Sequence, residues 1–451
     1  MGVSLAERDT TILFVGDMHL GRLPARVPVE VMGGRLPPLS ELGPGAAWLR
    51  TAGQAVRLGV DAVALAGDVV HGANDLFEGA NELAKGLEIL AAARIPVVAV
   101  AGNHDTRVLP DLARRGGITL LGAGGTWSAF DLAPAGRAPV RLVGWSFPAP
   151  HWEASPLQSP PPPAAPGVVT LGLLHGDLDV PGSRYAPVAG AGLTATGYTA
   201  WLLGHVHRPD EPPVDGRPFY LGSLTGLDPT ETGRHGPVLA RIGGDGRLEL
   251  QRLPLAPLAW LSATLDVGAA EAPARDLPTL VRGAMEDAVL AMPGGPADAL
   301  AVGVRLTLRG AVAEPATVRR AAAALVDGPD ACLSVGSTTC FLEKLDVDVQ
   351  ERVDLASLAG TADPVGLLAR RILALEGAAV VPGVADPAAW RAAMLREARG
   401  RLADIDAQPP FAPLDTDSDD ATVSREILAA ARAVLEHLRA SKGGDRAPDP
   451  A

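Results

Sequence analysis

Apolar runs alternate with segments of helical spacing through the first half of the chain. Residues 11–16 (TILFVG) form an uninterrupted apolar run, and residues 46–59 place apolar side chains at helical intervals. The alternation continues with a strand-like run at 60–68, a helical segment at 76–93 and another strand-like run at 95–105. Buried strands separated by helices are typical of sheets covered on both faces. The pattern predicts a layered α/β domain.

A smaller unit begins near residue 258, where two strand-helix pairs and a final strand predict an α+β domain. From about residue 363 the chain turns helical, and Asp363–Pro364 and Asp386–Pro387 resemble helix N-caps followed by a first-turn proline. We therefore expect four regions. They are a layered α/β core (1–257), a small α+β domain (258–352), a helical C-terminal region (353–441) and a disordered tail (442–451).

Composition narrows the classes of protein. The 451 residues carry a net charge of −13, which argues against a broadly basic surface. No apolar run approaches the roughly 20 residues of a membrane span, and the N-terminus lacks the basic region of a signal peptide. Two cysteines are too few for a disulfide framework, so we expect a cytoplasmic protein.

Five stretches place polar side chains where an apolar strand ends. Each alone is explained by turn chemistry or by a histidine satisfied within the fold. Together they predict one shared site, because strand ends in an open α/β sheet converge on one crevice. The stretches are GDMHLG (16–21), AGDVVHG (66–72), AGNHD (101–105), LLHGD (173–177) and LGHVHRP (203–209).

The side chains in these stretches predict a metal site without thiolate. Carboxylate, amide and imidazole donors suit Mn²⁺, Fe²⁺ or Zn²⁺ better than Ca²⁺. Seven donors are too many for one ion but suit two ions that share a carboxylate. We expect two divalent cations, with Mn²⁺ preferred over Fe²⁺ or Zn²⁺. The predicted ligands are Asp17, His19, Asp68, Asn103, His175, His205 and His207.

With these five motifs in this order, residues 11–258 resemble the calcineurin-like metallophosphoesterases. The resemblance implies an α/β fold with a layered β-sandwich metallophosphoesterase core flanked by helices (1–257), and with 258–352 as a small α+β capping domain. It implies that Asp68 bridges two ions, that His104 approaches the scissile phosphate and that Asp105 orients His104. It also divides the other ligands: Asp17, His19 and His207 would hold one ion, and Asn103, His175 and His205 the other.

Within that superfamily the chain is similar to the SbcD-type exonucleases of DNA double-strand-break repair. The similarity rests on DMHLGR (17–22), on the segment 203–242 and on the order of core, cap and C-terminal helices. It implies an exonuclease or endonuclease that hydrolyses DNA phosphodiesters with a metal-activated hydroxide. It also implies three partners: DNA, an SMC-like coiled-coil ATPase of the SbcC type bound by the C-terminal helices, and a second copy of the chain.

Other interpretations stay open at this point. The metal motifs fit a small-molecule phosphodiesterase or phosphatase equally well, and a non-catalytic DNA-binding or assembly subunit is a third hypothesis. The apolar stripe of residues 423–438 fits a partner's groove or packing on its own domain. Three arginines near the motifs are candidate phosphate contacts or ordinary surface residues: Arg22, Arg107 and Arg208.

Overall fold

The computed structural model divides the chain into two compact units, Met1–Gln350 and Glu351–Ala451. The predicted boundary at 257/258 lies inside the first unit and stays a prediction. The structure describes residues 9–28, 34–72, 76–293, 295–296, 298–326, 328, 331–406 and 420–443.

Fifteen strands and eleven α-helices lie in the described residues. The strands are β1 (Thr10–Val15), β2 (Ala62–Ala66), β3 (Val97–Val100), β4 (Ile118–Leu120), β5 (Trp127–Leu132), β6 (Val140–Trp145), β7 (Val169–His175), β8 (Ala200–Gly204), β9 (Phe219–Tyr220), β10 (Val238–Ile242), β11 (Leu248–Arg252), β12 (Leu258–Asp266), β13 (Ala301–Val312), β14 (Cys332–Val335) and β15 (Thr338–Glu351). The helices are α1 (Leu39–Leu42), α2 (Pro44–Leu58), α3 (Leu76–Ala92), α4 (Leu109–Gly116), α5 (Gly190–Thr194), α6 (Pro273–Leu290), α7 (Pro315–Val326), α8 (Leu355–Ala359), α9 (Pro364–Leu375), α10 (Pro387–Asp406) and α11 (Asp420–Gly443).

Two mixed sheets form the core of the first unit. One has the order β11-β10-β1-β2-β3-β4, in which β1 to β4 are parallel, and the other has the order β5-β6-β7-β8-β9. A buried cluster that includes Phe14, Val98 and Leu171 contains residues of both sheets. Helices α2, α3 and α4 contribute to a second cluster with the other face of β1, β2 and β3. Burial on both faces explains why β2 and β3 are uninterrupted apolar runs and why β1 is apolar after Thr11.

The proline-rich stretch 155–167 packs against the second sheet. The indole nitrogen of Trp127 donates to the carbonyl oxygen of Ser159 at 2.8 Å, and the Tyr198 hydroxyl donates to that of Pro162. Leu157 packs in the cluster that contains Trp201. The stretch therefore covers aromatic residues of the second sheet.

The capping sheet has the order β12-β13-β15-β14 and packs with α6 and α7. Its hydrophobic core includes two residues from the beginning of the chain, Leu36 and Leu42, which are 4% and 0% exposed. The indole of Trp260 in β12 donates to the carbonyl oxygen of Gly226 at 3.0 Å and so joins the capping sheet to the loop after β9.

The second unit consists of α8 to α11. The Asp363 carboxylate accepts a hydrogen bond from the Gly366 amide, which confirms its N-cap role. The α11 stripe packs within its own unit: Leu435 is buried with Ile372, and Val423 with Leu375 and Leu395. This favours the self-packing interpretation of that stripe. The predicted tail falls largely on residues 444–451, which lie outside the described residues.

The mixed α/β fold with several sheets, flanking helices and C-terminal helices confirms the predicted fold class. Among the described helices, none combines the length and the apolar character that crossing a bilayer requires.

Candidate metal centre

The predicted ligands meet at one edge of the sandwich. Asp17, Asp68 and Asn103 follow the adjacent parallel strands β1, β2 and β3. His175 ends β7, and His205 directly follows the neighbouring strand β8. Each sheet is parallel in this part, so consecutive strands deliver their carboxyl ends to the same edge. The two sheets together bring the five stretches to one place.

One group of donors lies around His19. Ligand atoms of Asp17, His19 and His207 lie within 4.8 Å of one another. The two Nε2 atoms of His19 and His207 are 2.9 Å apart. Two imidazole nitrogens at this distance must share a proton or face a common cation. This geometry, with a carboxylate beside it, fits the first predicted ion.

A second group lies around His175. Its Nδ1 is 3.0 Å from the carbonyl oxygen of Ala66, which can only accept, so Nε2 faces inward. That Nε2 is 3.1 Å from Asn103 Oδ1 and 3.4 Å from Asp68 Oδ2. His205 Nδ1 lies 3.2 Å from the same Asn103 oxygen. These donors fit the second predicted ion.

Asp68 lies between the two groups. Its Oδ1 accepts from the His104 amide at 2.9 Å, whereas Oδ2 is 3.4 Å from His175 Nε2 and 3.7 Å from His19 Nε2. Asp17 also belongs to both groups, since its ligand atoms lie within 4.8 Å of those of Asp68 and His175. The role of Asp68 as the bridging ligand stays a prediction.

Burial removes the charged side chains of the site from water, and their pKa values shift as a result. Burial raises the pKa of Asp17 to about 6 and, together with Asp68, raises that of Asp105 to about 7. Although burial alone would lower it, the negative charge of Asp68 raises the pKa of His175 to about 9. Burial would raise the pKa of Asp68, but His175 and His19 lower it overall. Cations would compensate the carboxylates here.

The backbone is strained at the same residues. Eight described residues other than glycine have positive φ, and four of the eight are predicted ligands: Asp17, His19, Asp68 and His205, with values of 32°, 48°, 48° and 104°. Such conformations are uncommon for these residue types and cluster at functional sites. Gly204 instead permits a close approach, since a Cβ there would lie 2.2 Å from the Ala66 carbonyl oxygen and 2.8 Å from His175 Nδ1. Only glycine lets β8 end this close to β2.

His104 lies at the exposed rim of the site. Its ring stacks on that of His71 at a centroid distance of 5.1 Å and meets the His19 ring edge-on at 5.2 Å. Asp105 is fully buried, and its carboxylate accepts from the amides of Val69 and Gly102 at 2.7 and 2.8 Å. Asp105 thus fixes the loop that carries His104, rather than the imidazole ring.

Two carboxylates beside the centre were not predicted as site residues. Glu231 Oε1 is 2.8 Å from His207 Nδ1, and its Oε2 accepts from the Leu227 amide and the Ser223 hydroxyl. Asp177 Oδ1 is 3.4 Å from His205 Nε2. Asp177 stands in the motif LLHGD, two residues after His175, and that position was the available signal. Glu231 lies outside the five motif stretches, and the spacing of polar residues along the sequence did not predict its place in the site.

His71 also belongs to the site, with its Nδ1 3.2 Å from His19 Nδ1. The three predicted phosphate contacts are more peripheral. Arg22 is half-buried, its amide donating to the His19 carbonyl oxygen at 3.2 Å, and Arg107 and Arg208 are exposed. Their role stays a prediction.

Comparison with known proteins identifies the region that contains these donors. Residues 10–209 match the family model of the calcineurin-like phosphoesterases. These residues therefore resemble a calcineurin-like phosphoesterase domain. The match covers slightly less than half of the chain and contains all seven predicted ligands. The domain and its clustered donors support a metal-dependent phosphoesterase with two divalent ions.

Two solved structures are similar to the chain. One is the protein TT1561 of Thermus thermophilus, with 14% sequence identity and a TM-score of 0.30. The other is a dimetal phosphatase from Danio rerio, with 14% identity and a TM-score of 0.33. Each similarity covers 54% of this chain and 99% of the other chain. A search of curated proteins found no match.

Proposed function

We propose that the protein is a two-metal DNA phosphodiesterase, the exonuclease or endonuclease subunit of an SbcD-type repair system. The convergence of seven oxygen and nitrogen donors from five strand ends supports the two-metal site. The motif DMHLGR and the segment 203–242 support a nuclease through their resemblance to that family. Glu231 lies in this segment and contacts a predicted ligand, which supports a functional rather than incidental similarity there.

Asp17, His19 and His207 would hold one ion, Asn103, His175 and His205 the other, and Asp68 both. Divalent cations at these positions, Mn²⁺ in our proposal, would supply Lewis-acid polarisation of the phosphodiester and activation of water.

His104 is exposed and adjoins the His19 ring, so it can donate a hydrogen bond to a phosphate oxygen or a proton to the leaving oxygen. Asp105 holds its loop in place through two backbone amides. Arg22, Arg107 and Arg208 would contact neighbouring phosphates.

We extend the proposal to a cytoplasmic assembly with DNA, an SbcC-type coiled-coil ATPase and a second copy of the chain. The ATPase would bind the helices of 353–441. Because the buried α11 residues already pack within their own unit, its contacts would use exposed apolar residues such as Val434 and Leu402, which are 51% and 41% exposed.

Digestion of DNA with and without Mn²⁺ tests this function. Linear duplex, hairpin and single-stranded DNA, a cyclic nucleotide and bis-p-nitrophenyl phosphate are compared for the wild type and for His104→Ala. We expect Mn²⁺-dependent cleavage of DNA and a loss of roughly 100- to 10,000-fold in the variant, the usual contribution of a general acid. Metal content, measured by elemental analysis, should stay at the wild-type value.

Three results would contradict the proposal. Intact DNA under all conditions, including addition of an SbcC-type ATPase, excludes a nuclease. Faster hydrolysis of the cyclic nucleotide than of DNA favours the small-molecule phosphodiesterase. Metal-independent binding of DNA without any hydrolysis favours the non-catalytic subunit.

A further inference from the structure

Three aromatic rings form a row from the protein surface to the candidate metal centre. The ring centroids of His151 and Tyr185 are 5.7 Å apart, and those of Tyr185 and His205 are 4.9 Å apart. The interplanar angles are 35° and 40°. His151 is exposed, Tyr185 is half-buried, and the side chain of His205 is 18% exposed. The row therefore has an outer end in solvent and an inner end at a predicted ligand.

The backbone holds this row in place from both sides. The Trp152 amide donates to the Arg184 carbonyl oxygen at 2.9 Å, and the Ala186 amide donates to that of Trp152 at 2.7 Å. The Tyr185 carbonyl oxygen accepts from the Asp177 amide at 2.9 Å. A platform fixed in this way loses little conformational freedom when a flat ligand binds to it.

The position of the row suggests its ligand. A phosphodiester bound at the candidate centre would lie beside His205, whose Nδ1 is 3.2 Å from Asn103 Oδ1. In a polynucleotide, the base next to that phosphate would come close to Tyr185 and His151. Aromatic side chains stack on any base and prefer unpaired ones, since paired bases already stack on their neighbours in a duplex. Arg184, which precedes Tyr185 in the chain, is exposed.

We propose that Tyr185 and His151 form a stacking subsite for an unpaired base next to the scissile phosphate. The proposal rests on the proposed nuclease function and narrows its substrate to single strands, frayed ends and hairpin loops. A small phosphomonoester has no second nucleotide to place there, so the subsite also separates the nuclease from a phosphatase.

An abasic scan tests the subsite. One abasic residue is placed in turn at each position around the cleaved bond of a single-stranded oligonucleotide, and kcat/KM is compared with that of the intact strand. For the wild type we expect a loss of about 10-fold at one position, the typical size of one base–aromatic stack. Tyr185→Phe keeps the ring and should keep this ratio. Tyr185→Leu and His151→Ala should bring the ratio of kcat/KM for the intact strand to kcat/KM for the abasic strand close to one.

A second measurement does not depend on turnover. The fluorescence of 2-aminopurine, placed at the sensitive position, should be quenched when the oligonucleotide binds to protein carrying His104→Ala. The quenching should disappear when His151→Ala is added. Because His151 is exposed, its substitution tests the subsite even if Tyr185→Leu does not fold.

The outcomes separate the two proposals. If the wild type cleaves the strand with the same kcat/KM at every abasic position, the stacking subsite is wrong and the nuclease remains. The subsite is also wrong if the 10-fold ratio survives both Tyr185→Leu and His151→Ala. If the wild type neither binds nor cleaves polynucleotides, the nuclease function fails and the subsite fails with it.

Discussion

The two histidines of the motif HVH are two residues apart and yet have different surroundings. His207 donates from Nδ1 to Glu231 at 2.8 Å, whereas His205 Nε2 is 3.4 Å from Asp177. Burial and the neighbouring His175 lower the pKa of His205 to about 4. Burial would lower the pKa of His207 too, but the hydrogen bond to Glu231 raises it overall. The His207 half of the centre is thus oriented by a hydrogen-bonded carboxylate and the His205 half by a looser contact.

This difference bears on the proposal that one short motif holds two ions. The carboxylate beside His207 is fixed by the Ser223 hydroxyl and the Leu227 amide, in a loop that also contacts Trp260 of the capping sheet. On the other side, the ring of His205 packs against Tyr185. The orientation of the His207 ring depends on hydrogen bonds, whereas that of the His205 ring depends partly on aromatic packing. Substitutions can separate the two contributions.

The largest effect is expected for Asp68→Asn, because Asp68 lies between both halves. Loss of its charge should remove both ions. Phosphodiesterase activity should fall by more than the roughly 10- to 100-fold that is typical when a group hydrogen-bonded to a metal ligand is removed. Titration calorimetry with Mn²⁺ and bis-p-nitrophenyl phosphate assays measure this. Two ions bound with wild-type affinity would contradict the bridging role.

The next largest effect is expected for Glu231→Gln, which touches only the His207 half. The affinity for one of two Mn²⁺ ions should fall by about 10- to 100-fold, because the amide no longer fixes the charge and orientation of the imidazole. Glu343→Gln is the matched control: Glu343 is also buried and paired, with Arg305 at 2.8 Å, but lies in the capping sheet. Equal losses in the two variants would exclude a specific role for Glu231.

A smaller effect is expected for Asp177→Asn in the other half. Because its contact with His205 is longer, the affinity for the second ion should fall by about 10-fold at most. Asp179→Asn changes a carboxylate of the same loop that accepts from the Gly190 amide instead. If Asp177→Asn costs more than Glu231→Gln, the order of the two halves is the reverse of the one inferred here.

The smallest effect concerns a single proton. Burial would lower the pKa of His175, but Asp68 raises it to about 9, so the imidazole of the metal-free protein is protonated and positively charged at neutral pH. This proton stabilises the metal-free fold fully below pH about 6.5, and the contribution is lost as the pH rises through 9. An ion must displace it, so Mn²⁺ affinity should rise severalfold per pH unit between 7 and 9. Calorimetry in two buffers measures the released proton, and an affinity independent of pH would contradict the expectation.

The sequence carried enough information for the fold class and for the donors at the strand ends. Strands such as 11–16 are local apolar runs, and each motif directly follows one, so both are readable without the tertiary structure. Glu231 was not predicted, because its contact with His207 spans 24 residues of irregular chain. The packing of the proline-rich stretch against Trp127 and Tyr198 was missed because proline-rich composition alone indicates only an absence of regular structure.

The placement of Leu36 and Leu42 in the core of the capping sheet has a consequence for synthesis of the chain. Those residues emerge from the ribosome long before β12 to β15, and the capping core closes only when β15, ending at Glu351, has been made. Until then Leu36 and Leu42 cannot be buried in this core, and a fragment that begins at residue 258 would lack both leucines. The hydrophobic core of this sheet is therefore discontinuous along the chain, and a fragment of residues 258–351 alone would not contain all of it.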